Sequence, residues 1–128
     1  MFSVSRAELE QIIEQSIKAL PQAYQDHLDN VAFLIEGWPS TTQRQTLKLR
    51  DDQTLFGLYE GVPLPQRQGQ TKLLPDKITI FQKPLEQASS NLKDLRSNVG
   101  RTVWHEVAHY YGLDHQRIHQ LEQQEFLN

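Results

Sequence analysis

The sequence predicts an α+β domain, and three observations lead to this prediction. An apolar stripe at helical spacing lies near the N-terminus, three short segments are rich in strand-forming residues, and the C-terminal part has a helical pattern. The chain has 128 residues, and single cores typically hold about 100–150 residues. We therefore expect one domain that spans residues 1–128.

The N-terminal segment is expected to form an amphipathic helix. Ser5 and Glu8 match the capping-box pattern, in which each side chain satisfies an unpaired backbone N–H at the start of a helix. Pro21 marks a boundary, and residues 22–29 are expected to form a short second helix. The apolar residues that follow the capping box at helical spacing are Leu9, Ile12, Ile13, Ile17 and Leu20.

Three strands are expected to form a small sheet. Residues 31–35 are an apolar run rich in strand-forming residues, and residues 55–59 have the same character. Glycine and proline follow both segments, which is typical of strand ends. Residues 77–81 alternate between polar and apolar, so that Ile78 and Ile80 share one face of the third strand.

The other segments are polar or helical. Residues 40–53 are expected to form a loop or an irregular helical turn, and residues 66–72 are expected to form a polar loop. From Leu85 to the end of the chain the pattern is helical. Helices that precede and follow a set of strands, rather than alternating with them, favour the α+β class.

The composition excludes several classes of site. The chain has no cysteine, which excludes thiol catalysis and thiolate metal sites, so any metal ion has to be held by His, Asp or Glu. The formal charge of −3 argues against nucleic-acid binding through overall charge. The N-terminus does not resemble a signal peptide, and no stretch approaches the roughly 18 apolar residues of a membrane span. We therefore expect a cytoplasmic protein without a nucleic-acid or membrane partner.

A histidine motif near the C-terminus carries the chemical information. Residues 105–115 have the pattern H-E-x-x-H-x-x-G-x-x-H. On a helix, His105 and His109 project from one face on successive turns, so both rings can reach one zinc ion at about 2.0–2.1 Å. Gly112 is expected to end the helix and to turn the chain so that His115 reaches the same ion. Three protein ligands leave one position open, which is typical of catalytic zinc.

Glu106 is the candidate catalytic residue of this motif. It follows His105 directly and is rotated from it by about 100° around the helix axis, so that it flanks the metal without ligating it. A carboxylate in that position can take a proton from a zinc-bound water as a general base. The motif therefore predicts hydrolysis rather than a structural zinc site.

Neighbouring residues leave alternatives open. His119 is four residues after His115 and is an alternative third ligand, although the spacing after the glycine favours His115. Asp114 either orients a ligand imidazole or is a solvated turn residue. Arg96 and Arg101 precede the motif and are expected to be exposed helix residues, with binding of a substrate carboxylate as the alternative.

The motif resembles the zinc signature of the metzincin metallopeptidases, but the only methionine is Met1, so the methionine turn of that class is absent. The chain is more similar, along nearly its whole length, to the small bacterial family of minimal zincin-like metallopeptidases. The similar segments are Ala-Leu-Pro (19–21), Asn-Val (30–31), Leu-Tyr-Glu-Gly-x-Pro-Leu (58–64), Leu-Pro-Asp-x-Ile-x-Ile (74–80) and the zinc helix. This resemblance implies a minimal zincin-like fold, in which a sheet of three to four strands packs on the N-terminal helix and the zinc helix.

The functional prediction is a zinc metallopeptidase that acts on a peptide or protein substrate. His105, His109 and His115 are the expected zinc ligands, and Glu106 is the expected general base. The substrate docks along residues 77–81 if that strand is an edge of the sheet, whereas an interior strand has no such role. We expect a monomer or a weak dimer.

Two other functions remain open at this point. One is a non-catalytic zinc-binding domain with a regulatory or interaction role, because the small size of the chain limits the walls of a substrate cleft. The other is a metal-dependent RNA-processing hydrolase, because bacterial proteins of ribosomal RNA maturation have a similar histidine spacing. Those proteins usually have glycine at the position of Glu106, which favours peptide chemistry here.

Overall fold

The computed structural model describes residues 2–63, 65 and 75–125, with side chains as far as residue 122 in the last helix. The predicted α+β class is confirmed, and the predicted loop at 66–72 lies outside the described residues. The elements in chain order are α1 (Arg6–Lys18), α2 (Gln22–Gln25), β1 (Val31–Glu36), α3 (Thr41–Thr46), β2 (Gly57–Glu60), β3 (Asp76–Phe81), α4 (Gln82–Gln87), α5 (Leu92–Tyr110) and α6 (His115–Glu125).

The sheet of the described residues has three strands in the order β1-β3-β2. Strand β1 runs parallel to the central strand β3, and β2 runs antiparallel to it. Only Lys77 of β3 is exposed, and Ile78 and Ile80 are fully buried. Of the two alternatives for residues 77–81, the structure therefore shows the interior strand, because both sides of β3 are paired within the sheet. The edges are β1 and β2.

Helix α1 begins with the predicted capping box. The Ser5 hydroxyl accepts a hydrogen bond from the Glu8 backbone N–H, and the Glu8 carboxylate accepts one from the Ser5 N–H, each over 3.1 Å. Its buried face packs against α5. Helix α2 is shorter than expected, because the chain turns after Gln25 and the Val31 N–H donates to the Leu28 carbonyl at the entrance to β1.

The polar segment 40–53 contains one regular helix. Helix α3 begins with a second capping box, in which the Ser40 hydroxyl accepts from the Gln43 N–H over 3.0 Å and the Gln43 side chain accepts from the Ser40 N–H over 2.8 Å. The sequence pattern of serine followed three residues later by glutamine is the signal for this helix. Of the two alternatives for residues 40–53, a loop or an irregular helical turn, the helical one is therefore closer to the structure.

The C-terminal part is helical, but it is divided into three helices. Asn91 separates α4 from α5 by accepting a hydrogen bond from the Asp94 N–H over 2.9 Å, which caps the long helix. Helix α5 packs against α1 on one side and against β2 and β3 on another, so it lies at the centre of the fold. No helix in the described part of the chain is both long enough and apolar enough to cross a membrane.

Candidate metal centre and catalytic cleft

Helix α5 ends just before Gly112, as the position of this glycine predicted. Gly112 has a φ of +77°, in the left-handed region that side-chain-bearing residues avoid. Its N–H donates to the His109 carbonyl over 2.9 Å, and the Leu113 N–H donates to the Ala108 carbonyl over 3.1 Å. These bonds satisfy the last carbonyls of α5 and reverse the chain, so that His115 begins α6 beside the helix that has just ended.

The structure brings the three predicted histidines together. One ligand atom from each of His105, His109 and His115 lies within 4.8 Å of the other two. The Nε2 atoms of His105 and His109 are 3.1 Å apart, close to the roughly 3.3 Å that separates two ligand nitrogens on a tetrahedral zinc with bonds of about 2.0–2.1 Å. The spacing and the all-nitrogen donor set therefore fit a zinc ion.

The protonation state of the cluster also suits a metal. Burial lowers the pKa of His105 and His109 below the usual value of 6.5, and the neighbouring imidazoles lower it further. A lowered pKa keeps an imidazole neutral near pH 7, and the neutral form is the one that binds metals. For His105, the nearby Glu122 carboxylate opposes this effect.

The structure shows the positions of His119 and Asp114, whose roles the sequence left undecided. His119 is exposed on α6 and is not part of the three-histidine group. Asp114 caps α6, because its Oδ1 atom accepts a hydrogen bond from the Arg117 N–H over 2.7 Å. Asp114 is also exposed, which agrees with the alternative of a solvated turn residue.

Glu106 is buried against the edge strand β2. Its residue exposure is 8%, and its Oε1 atom accepts a hydrogen bond from the Tyr59 backbone N–H over 2.9 Å. Burial raises the pKa of Glu106 from 4.5 to about 7, although the Tyr59 N–H acts in the opposite direction. A carboxylate whose pKa lies near neutral pH can both accept and return a proton, as a general base in hydrolysis must.

Gly57 permits this close approach of β2 to α5. A Cβ atom at that position would lie 2.6 Å from Thr102 Cγ2 and 3.3 Å from Glu106 Cγ. Any larger residue would push the strand away from the helix and from the Glu106 carboxylate. The sequence marked residues 55–59 as a strand but gave no signal that its glycine faces the catalytic helix.

A second carboxylate, which the sequence reasoning missed, faces the histidines from α6. Glu122 Oε1 lies 3.8 Å from His105 Nδ1, and the Glu122 side chain is 20% exposed. Since His105 Nε2 faces His109, Nδ1 is the nitrogen left for an orienting partner. Glu122 is seven residues after His115, and two helical turns place both residues on one face of α6. This spacing of seven residues is the sequence signal that could have indicated Glu122.

A groove of about 490 Å³ opens beside Glu106. Strand β2 and the segment before it form one wall, and α5 and α6 form the other. The lining residues are Thr54, Leu55, Phe56, Gly57, Asn98, Arg101, Thr102, His105, Glu106 and Glu122. Along α5 the groove therefore extends from Asn98 to Glu106 and includes His105, the first histidine of the cluster.

The comparison with known families agrees with this geometry. The chain matches the family model described as zincin-like metallopeptidase over residues 28–125, which extends from just before β1 through α6. No protein among the curated ones matches the chain significantly.

Proposed function

Because the chain belongs to the zincin-like metallopeptidase family, we propose that it hydrolyses peptide bonds with a zinc ion held by His105, His109 and His115. Glu106 acts as the general base. The observation that carries this proposal is the buried carboxylate of Glu106, which directly follows the expected ligand His105 in the chain and accepts a hydrogen bond from the edge strand β2. Residues 1–128 act as one domain in this proposal, since α1 packs directly on the catalytic helix α5.

The chemistry divides between the metal and the protein. When bound, zinc supplies a Lewis acid that polarises a carbonyl and makes water more acidic. Glu106 accepts the proton of the attacking water and then delivers it to the amine that leaves. The burial that raises the pKa of Glu106 makes its carboxylate a stronger base than an exposed glutamate, and a positive charge at the metal site acts in the opposite direction. The Tyr59 N–H holds the carboxylate in place during the reaction.

Strand β2 is the docking edge in this proposal. Among the described residues β2 pairs with β3 on one side, and on its other side the Tyr59 N–H donates to Glu106. An extended peptide that adds to this edge forms hydrogen bonds with backbone groups of β2 other than the Tyr59 N–H, while its side chains enter the adjacent groove. The docking role that residues 77–81 would have had on an edge strand is therefore assigned to residues 57–60 in this proposal.

The test is peptide-library cleavage combined with metal analysis. Purified protein is measured for zinc content and then incubated with the library as isolated, after treatment with a chelator, and after zinc is restored. We expect about one zinc per chain, cleavage that stops on chelation, and recovery with zinc. A zinc-loaded protein that cleaves no peptide would contradict the proposal and favour a non-catalytic zinc-binding domain.

A further inference from the structure

The groove beside Glu106 contains one cationic side chain among its lining residues outside the histidine cluster. Arg101 lies on α5, four residues before His105, and both line the groove. One helical turn separates them, so Arg101 is about 6 Å further along the helix axis. We propose that Arg101 binds a carboxylate of the substrate in this groove, and that the enzyme therefore prefers an acidic residue near the scissile bond. This inference rests on the proposed peptidase function.

The charge of Arg101 is available for a ligand. Its Nη2 atom donates a hydrogen bond to Asn98 Oδ1 over 3.2 Å, and both residues line the groove. Among the described side chains Arg101 forms no ion pair, and neither Glu106 nor Glu122 is paired with it. Asn98 thus restrains the guanidinium without neutralising it. A restrained guanidinium with free N–H groups is well suited to a carboxylate.

The two acidic groups of the groove have other partners. Glu106 accepts from the Tyr59 N–H, and Glu122 faces His105 Nδ1 at 3.8 Å. With zinc bound, both would lie beside the positive charge of the metal site. The part of the groove near Arg101 therefore keeps a local positive charge.

The position of Arg101 limits which substrate residue it can bind. Arg101 lies one helical turn from His105, and both line the groove. The bound carboxylate therefore belongs to a residue near the scissile bond, and the peptide series below identifies its position. Leu55 and Phe56 on the opposite wall provide apolar surface for the methylene groups of that side chain.

The experiment measures binding of peptides to zinc-loaded Glu106→Gln protein, which separates recognition from turnover. Capped six-residue alanine peptides carry one Glu, Gln or Lys at each position in turn, and a further set has a free C-terminus. We expect one Glu position to bind about five- to tenfold more tightly than Gln, as for one partly shielded charged contact. Tighter binding of only the free C-terminal set would overturn the preference for an acidic side chain.

The matched variants are Arg101→Gln, Arg101→Glu and Arg96→Gln, each combined with Glu106→Gln. Arg96 lies on the same helix but lines only the cavity between α1 and α5, whereas Arg101 borders both that cavity and the groove. We expect Arg101→Gln to abolish the preference, Arg101→Glu to shift it to Lys, and Arg96→Gln to leave it unchanged.

Several results would overturn the inference. These are a preference that persists in Arg101→Gln, the absence of any acidic preference, and the absence of peptide binding. Cleavage of peptides by the wild-type protein without an acidic preference would refute the role of Arg101 alone. Failure of the zinc-loaded wild-type protein to cleave any peptide would instead refute the peptidase function.

Discussion

Substitution of Glu106 by glutamine is expected to make the metal-free protein more stable at high pH. In the folded wild-type protein, burial keeps Glu106 protonated up to a pKa of about 7, whereas an exposed glutamate ionises near 4.5. The stability from the neutral carboxyl is therefore complete below pH 4.5 and is lost as the pH rises to 7. Glutamine does not ionise, so the variant does not undergo this loss.

The magnitude follows from the size of this pKa difference. A rise from 4.5 to about 7 corresponds to about 3 kcal/mol, at about 1.36 kcal/mol for each tenfold change in proton affinity. Between pH 4 and pH 8, the free energy of unfolding of Glu106→Gln should therefore increase by about 3 kcal/mol relative to the wild type. The lowered pKa values of His105 and His109 are common to both proteins and largely cancel in the difference.

The assay is urea unfolding in the presence of a chelator at several pH values. Glu10→Gln is the matched control, because Glu10 is exposed on α1 and forms a surface ion pair with Arg6. Its difference from the wild type should change by less than about 0.5 kcal/mol over the same range. A pH-independent difference for Glu106→Gln would refute the argument that Glu106 is buried as a neutral acid.

Three further predictions concern the metal site and its support. Saturating zinc should raise the melting temperature of the wild type, since ligand at a thousandfold excess over Kd stabilises the folded state by about 4 kcal/mol. His109→Ala should abolish this rise, and an equal rise in the variant would exclude His109 as a ligand. Gly57→Ala should lower the cleavage rate at least tenfold without loss of zinc, because the added methyl group moves β2 away from α5. Gly37→Ala should leave the rate unchanged, because the atom nearest to a Cβ at Gly37 is 3.9 Å away. Glu122→Gln should weaken zinc binding about tenfold in a chelator competition, and an affinity equal to that of Gln120→Ala would show that Glu122 does not orient His105.

The sequence predicted those features that depend on local spacing. The separation of His105 and His109 by one helical turn, and the left-handed glycine at 112, decide the cluster geometry without help from distant parts of the chain. The capping box of α1 is local in the same way. The same spacing at Ser40 and Gln43 could have indicated α3, although only a loop or an irregular helical turn was expected there. Such features are readable because the interacting residues are at most a few positions apart.

The rest depends on contacts between distant segments. The bond from the Tyr59 N–H to Glu106 joins residues 47 positions apart, and it holds the carboxylate of the expected base against β2. The pattern of residues 77–81 did not reveal that β3 pairs on both sides. The order of strands in a sheet follows from tertiary packing, which the alternation within one strand does not encode.

The most direct test of the account is the cleavage rate of zinc-loaded wild-type protein beside that of zinc-loaded Glu106→Gln. The peptide is the best substrate from the library, and zinc content is measured in both samples. We predict equal zinc content and a decrease in kcat/KM of about 10²–10⁴ for the variant, as expected for the loss of a general base. Equal rates at equal zinc content would contradict the assignment of Glu106 as the base.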